Sequence, residues 1–459
     1  MTSANPDIDA GLRLYREGRF AEALPLFDRV LAADPRHARA RAFRGLVLCQ
    51  QGDFARGIAE LRDAAESGPR DPLVHSSLGM ILFVQDRLEE SEAALRRALV
   101  LAPNDPDALV TLGLVLKARG DFAGAERATR AALLARPQSF EARVNLAYAL
   151  LPQGKFAEAW EAYSARPHPQ VNLRDPAVPV TVAHQAALPA PGAPVIVHGE
   201  QGLGDTLFFL RFAPLLRARG HPLAFWGDGR LHALLARAAL FEHFLRPESV
   251  PGPGIAVIWA GDLPRLLSMD DAAKFPPALP LRPDAARHAA MRARLGAWGK
   301  PPYVGVTWRA GLDRKGRVVL AKALDPEVLG GALAGTGATF VSLQRGPREG
   351  ELAAFATGTG RALHDAAFAN DDLEDALALL DLLDEYVGVS NTNTHLRAGL
   401  GKPARVMVPW PPEWRWLELG ERSPWFASMP LYRQSADGSW DGALARLASD
   451  LGAYNSRSR

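Results

Sequence analysis

Cysteine is nearly absent: the chain of 459 residues has one, Cys49. A single thiol closes no internal disulfide, which fits a reducing compartment. Neither sign of charge is in excess, since the formal net charge is +2. That balance gives no ground for a nucleic-acid or membrane-surface partner. No apolar run approaches the roughly 20 residues needed to cross a bilayer. The start, "MTSANPDIDAGLRLYREG", lacks the apolar stretch of a signal peptide. A cytoplasmic location is the expectation. Metal-binding patterns are missing as well, with no His-Glu-x-x-His and no Cys/His cluster. The Asp-x-Asp spacings, Asp7/Asp9 and Asp105/Asp107, both fall in the first third. No metal and no cofactor are expected.

What is present divides the chain. At this length two or three domains are expected. The segments "EGRFAEAL", "QGDFARGI", "QDRLEESE", "RGDFAGAE" and "QGKFAEAW" place Phe20, Phe54, Leu88, Phe122 and Phe156 at steps of 34 residues. Pro35, Pro69, Pro103 and Pro137 keep the same step, as do Gly11, Gly45, Gly79 and Gly113. Each unit reads as a helix, a small-residue turn, a second helix, then a proline that stops it. One such hairpin cannot bury its apolar face alone, so neighbours stack into a superhelix. The period and the Gly-x-Phe-x-x-Ala pattern resemble the tetratricopeptide repeat (TPR). The resemblance implies an α-solenoid over residues 1–164, with a concave face that holds a peptide or protein. Dimerisation or simple rigidity is the plainer role for it.

Periodicity fails in the Pro-rich stretch 165–193, expected to be a linker. Strand and helix patterns then alternate from "PVIVH" through "GDTLFFLRFAPLLRARG", "HPLAFWG" and "GIAVIWAGD". The scheme restarts at "PPYVGVTW" and continues through "ATFVSLQ", "LEDALALLDLL", "EYVGVS" and "PARVMVPW". Such alternation implies parallel sheets covered by helices. Two Rossmann-like halves are expected, at 194–297 and 298–451, the second closing with a helix. Residues 452–459 read as a disordered tail.

Two loops carry candidate chemistry. In "HGEQGLGD", Gly199, Gly202 and Gly204 permit close approach by a ligand, and a helix opens at Asp205 with free N–H groups. Asp205 either caps that helix or acts as a general base. In "VGVSNTNTHLRAGLG", Ser390, Asn391, Thr392, Asn393 and Thr394 supply hydroxyl and amide groups at a second helix start. His395 follows in its first turn, as a phosphate contact or as a satisfied, half-buried histidine. A dinucleotide reading, with Asp228 on a ribose, is the weaker alternative because the glycine spacing is G-x-x-G-x-G. Trp410, Trp414, Trp416 and Trp425, with Arg415, form either a ligand platform or a packed seam.

Taken in order, "HGEQGLGDTLFFLRFAPLL", "VGVTWRAG", "FVSLQRG", "VGVSNTNTHLRAGLGKPARVMVP", "EWRW" and "SPWFASMPLYRQ" resemble the glycosyltransferase-like region of bacterial TPR proteins related to ADP-heptose lipopolysaccharide heptosyltransferases. The plan is also similar to that of O-linked N-acetylglucosamine transferases. The resemblance implies a GT-B arrangement of the two halves and a metal-independent transferase. It implies Asp205 as the base, with a nucleotide-sugar diphosphate near Gly202, Gly204, Thr307, Arg309, Gln344, Ser390, Asn391, Thr392, Asn393, Thr394 and His395. The acceptor would be a protein or peptide on the repeats. Relatives usually have Asp-Thr at Ser390-Asn391 and "WAG" at "WRAG", so nucleotide choice does not carry over. The alternative is a non-catalytic TPR interaction scaffold with a degenerate glycosyltransferase-like domain.

Overall fold

The computed structural model describes residues 6–166, 187–246, 255–310 and 322–457, with 453–457 as backbone. Two compact units divide at Ala149/Leu150. Most of the expected linker lies outside the described residues.

The first unit is a run of helix pairs: α1 (Pro6–Arg16) with α2 (Phe20–Ala33), α3 (Ala38–Gln50) with α4 (Phe54–Ser67), and α5 (Pro72–Val84) with α6 (Leu88–Leu101). It continues with α7 (Pro106–Ala118), α8 (Phe122–Ala135) and α9 (Phe140–Leu150). Each turn within a pair needs a left-handed residue, and Gly18, Gly52, Asp86 and Gly120 supply it at the same phase, with φ of 76°, 91°, 58° and 82°. Close packing within pairs depends on small residues. A Cβ at Gly79 would lie 2.6 Å from Leu95 Cγ on the facing helix. Asp53 and Asp121 cap α4 and α8, while Asp71 and Asp105 cap α5 and α7 just ahead of Pro72 and Pro106.

The second unit opens with α10 (Phe156–Tyr163), which has the phase of a fifth repeat but packs on the α/β region. Trp160 of α10 donates its indole N–H to Met269 O at 2.9 Å. The first sheet contains β1 (Val195–His198), β2 (Leu223–Trp226), β3 (His243–Leu245) and β4 (Ala256–Trp259), all parallel, in the order β3-β2-β1-β4. Its helices are α11 (Leu203–Phe209), α12 (Ala213–Ala218), α13 (His232–Arg237) and α14 (Leu263–Leu266), whereas α15 (Ala285–Trp298) packs on the helices of the second sheet, with Arg287 paired to Asp375 at 2.8 Å. The single helix expected after β1 is broken by a 3-10 turn at Leu210–Phe212. Pro214, without an N–H, restarts it at the first turn of α12.

The second sheet contains β5 (Tyr303–Thr307), β6 (Thr339–Ser342), β7 (Leu363–Asp365), β8 (Glu385–Val389), β9 (Arg405–Val408), β10 (Arg422–Ser423) and β11 (Phe426–Arg433). Its order is β10-β11-β9-β8-β5-β6-β7, parallel except for the β10/β11 pair. Its helices are α16 (Pro326–Leu333), α17 (Glu351–Thr359), α18 (Leu373–Leu382), α19 (Thr392–Gly399) and α20 (Asp441–Arg457). Leu444, Leu447 and Leu451 of α20 join the core that Val304, Val306 and Phe340 build on this sheet. The backbone of α20 runs to Arg457, through residues expected to be a disordered tail. No proline follows Asp441 to stop it. Among the described residues no helix is long and apolar enough to cross a membrane.

Candidate functional site

Both sheets reverse their strand order once, between β1 and β4 and between β5 and β8. In open α/β sheets the crevice at the carboxyl end of such a switch point is where ligands sit. The glycine loop leaves β1 at the first switch point, and the Ser390–Thr392 turn leaves β8 at the second. The fold brings the two together. A Cβ at Gly204 would lie 3.0 Å from His395 Cδ2 and 3.4 Å from its Nε2, so only glycine lets α11 approach α19 this closely.

The glycine loop is held from below. Thr206 Oγ1 accepts from Glu200 N at 2.9 Å, and Glu200 Oε1 accepts from Gly261 N at 2.7 Å. Arg166 donates to Glu200 at 2.9 Å and to Asp262 at 2.6 Å, beneath the ring of Tyr163. A guanidinium buried between two carboxylates is a satisfied ion triad, and removing any member leaves an uncompensated charge. Burial lowers the pKa of His198, at the end of β1, against a hydrogen bond to Gly199 that raises it.

The second turn is held by a polar network. Asn391 caps α19 by accepting from Thr394 N at 3.3 Å, while Thr394 Oγ1 accepts from Asn391 N in return. Asn391 Nδ2 donates to Thr307 Oγ1 at 3.0 Å, Tyr386 Oη donates to Asn391 Oδ1 at 3.1 Å, and Thr307 and Tyr386 are 2.7 Å apart. Burial pushes the Tyr386 phenol pKa up, partly offset by these hydrogen bonds. His395 is buried, and its Nδ1 finds no hydrogen-bond partner among the described residues. Its pKa falls to about 3, first from burial and then from the positive charges of Arg211 and Lys322. The ring is therefore a neutral imidazole at physiological pH.

A chain of charges crosses from one half to the other. Arg415 donates to Asp205 on α11 and to Glu413, and Lys322 donates to the other oxygen of Glu413. Ser390 Oγ donates to that same Glu413 oxygen at 3.3 Å. Arg415 is buried under the rings of Trp414 and Phe208, whereas the Asp205 side chain is 47% exposed. Beneath lies an aromatic seam. Trp425 stacks on Phe275 at 3.7 Å, and Phe208 meets Trp414 and Trp425 edge-on at 5.1 and 5.2 Å. Arg211 runs through this seam, donating to Phe208 O at 3.0 Å and Trp425 O at 2.7 Å between the rings of Phe208 and Phe426. Burial pulls its pKa down to about 9, which still leaves it charged at neutral pH.

The expected site residues thus separate into groups. Gly202, Gly204, Asp205, Ser390, Thr392, Thr394 and His395 gather where α11 meets α19, and Asn393, also in the first turn of α19, is buried there. Thr307 and Asn391 bond each other. Gln344 and Arg309 form a separate cluster: Gln344 Oε1 accepts from Trp308 N and Arg309 N at 3.1 and 2.9 Å, and Arg309 pairs with Glu351 at 3.1 Å. Asp228 accepts from Arg230 N at 3.0 Å and pairs with its guanidinium at 2.6 Å, so its carboxylate is already engaged. Trp414, Trp416 and Trp425 are buried and serve as the seam. Glu200, Arg211, Lys322 and Glu413 were not singled out by motif. A lone charged residue inside an apolar run, as in "LFFLRFAPLL", is the one signal that marked Arg211. Among the described residues no group of three or more His, Cys, Asp or Glu could hold a metal ion.

A tetratricopeptide-repeat family model matches residues 8–72, 45–106 and 110–172. The N-terminal region of about 170 residues is a TPR array. Similar solved structures include MamA, at 24% identity over 34% of this chain and 91% of that one, with a TM-score of 0.31. Another is pilF of Pseudomonas aeruginosa, at 22% identity, 36% and 77% coverage and a TM-score of 0.34. A third is YrrB, a TPR protein with an unusual peptide-binding site, at 21% identity, 36% and 84% coverage and a TM-score of 0.30. No curated protein matches the chain.

Proposed function

We propose that the second unit is a metal-independent glycosyltransferase of GT-B type and that the repeats hold its acceptor protein. The observation that best supports this is the close approach of the two switch-point loops, Gly204 against His395. A ligand reaching the α19 turn therefore lies beside the glycine loop and Asp205. The donor diphosphate would take the free N–H groups of α19 and the charge of Lys322. His395, neutral through burial, would offer a hydrogen bond without adding charge. An acceptor hydroxyl would attack the anomeric carbon, the bond from that carbon to the diphosphate would break, and Asp205 would receive the proton. Arg415 keeps the Asp205 carboxylate oriented until then.

A second reading, a TPR interaction scaffold without turnover, is favoured by one observation. The polar groups of Thr307, Asn391, Gln344 and Arg309 are taken up by one another, by Glu351 and by the backbone. Thermal shifts with UDP-, GDP-, ADP-, CMP- and dTDP-sugars and NAD(P), on the wild type and on His395→Ala, decide between the readings. A ligand at 100 times its Kd stabilises the fold by about 2.7 kcal/mol. The transferase reading expects one nucleotide-sugar to shift the wild type and not the variant. A shift from none of them supports the scaffold, and a shift from NAD(P) alone overturns both.

A further inference from the structure

Guanidiniums withdrawn from water in the second unit face acids. Arg166 pairs with Glu200 and Asp262, Arg405 with Glu385, and Arg415 with Asp205 and Glu413. Arg397 donates to the carbonyls of Leu380, Leu383 and Asp384, within the field of Glu385, Asp381 and Asp384. Arg211 departs from this rule. It is 1% exposed, and among the described residues no carboxylate pairs with it. Its Nε and Nη1 donate to the carbonyls of Phe208 and Trp425, but Nη2 has no partner. Neutral carbonyls orient the group without balancing its charge. A buried charge is costly unless a counter-charge meets it.

A second unmet group lies beside it. The guanidinium sits between the rings of Phe208 and Phe426, 4.5 and 4.7 Å from their centroids. The His395 imidazole meets the same two rings in T-shaped contacts at 6.2 and 5.6 Å. Its Cδ2–Nε2 edge faces Gly204, so Nδ1, the opposite corner of the ring, points away from the glycine loop. That nitrogen is buried and unpartnered among the described residues. So are the indole nitrogens of Trp416 and Trp425, whose rings pack on Phe426 and Phe208. Guanidinium and indole can only donate, and a neutral imidazole donates from one nitrogen. What would satisfy this cluster is an acceptor. A water could accept, but it would leave the guanidinium unbalanced.

We propose that a halide-sized monovalent anion binds in the seam, accepting from Arg211 Nη2 and His395 Nδ1. One negative charge balances the one guanidinium. A spherical anion needs few donors, and the partly positive edges of aromatic rings can complete its shell. A phosphate has several oxygens to satisfy and would leave most of them unmet. Arg211 follows α11 of the first half and His395 lies on α19 of the second, so the anion ties the halves together. The inference does not depend on the transferase reading. With the Nδ1 proton given to the anion, Nε2 would serve that reading as the acceptor from a sugar hydroxyl.

The test uses the full chain in sodium gluconate, whose anion is too large to bury, titrated with sodium chloride or bromide at constant ionic strength. Melting of the second unit is expected to rise saturably, by about 5 °C at one hundred times the Kd. His395→Leu should weaken the halide response roughly tenfold. Arg211→Met, with no charge to balance, should show no saturable response, whatever its own stability. Crystals of the wild type grown from bromide keep the test open if that variant misfolds. An anomalous peak is expected at hydrogen-bond distance from Arg211 Nη2 and His395 Nδ1. Equal melting in gluconate and halide overturns the proposal, as does a response that either substitution leaves unchanged. So does bromide found only elsewhere, or a peak at Arg211 without anomalous signal, which would make the acceptor a water.

Discussion

The two units reach their structures by opposite means. In the repeat array each helix pair contacts its neighbours, and the same contact recurs 34 residues later: the small residue against the facing helix, the left-handed turn, the aspartate cap. In the second unit the decisive contacts join distant residues. Arg211 meets Trp425 across 214 residues, Asp205 meets Arg415 across 210, and Trp160 meets Met269 across 109. Repeats are stabilised by nearest-neighbour terms and tolerate local damage locally. A seam built from long-range pairs gains little until all its members are in place, so damage to it should be felt throughout the unit.

Trp425→Ala should break the comparison most sharply. Trp425 touches Phe275, Phe156, Trp160, Phe208 and Trp414, and its loss is expected to cost the second unit about 3–5 kcal/mol. In calorimetry the transition of that unit should fall while that of the repeats holds. A parallel fall of both would show that the two units unfold as one.

A smaller effect comes from His395. Its folded pKa of about 3 lies below the ordinary 6.5, so between those values the unfolded chain binds a proton that the folded chain refuses. Stability contributed by the neutral ring is present above pH 6.5 and lost as the pH falls toward 3. From pH 7 to pH 5 the loss is about 2 kcal/mol. Urea unfolding at both values should show this loss in the wild type and a flatter profile in His395→Gln. Equal pH dependence in the two proteins would mean that His395 is protonated in the fold.

The smallest effect sharpens the other side. Asp53 caps α4 by accepting from Arg56 N at 3.1 Å, and Asp53→Ala should lower the repeat transition by about 1 kcal/mol. Arg87, at the same phase ahead of α6, makes no side-chain cap. Arg87→Asp should therefore gain a similar amount, and no gain would show that end fraying does not limit the array.

How much was legible divides along the same line. The 34-residue step places each helix of the array to within a residue or two, because turn, cap and proline signals all act within one hairpin. In the α/β region the longer strands could be read as apolar runs. The three-residue strands β3 and β7 are too short to show alternation, and β11 does not alternate cleanly between buried and exposed residues. Site residues named by motif were located, but their partners were not. Nothing near Asp205 in the chain points to Arg415, and nothing near Ser390 points to Glu413.

By itself the sequence determined the repeat period, the change to strand–helix alternation and the positions of both loops. These depend on backbone sterics, helix capping and apolar periodicity, interactions that act over a few residues and are written where they act. Only the tertiary structure decided that Gly204 abuts His395, that Thr307 and Asn391 turn to each other, and that Arg415 holds Asp205 and Glu413 together. Such pairs depend on how two sheets are brought together, and that placement is set by the sum of many buried contacts rather than by any stretch of chain.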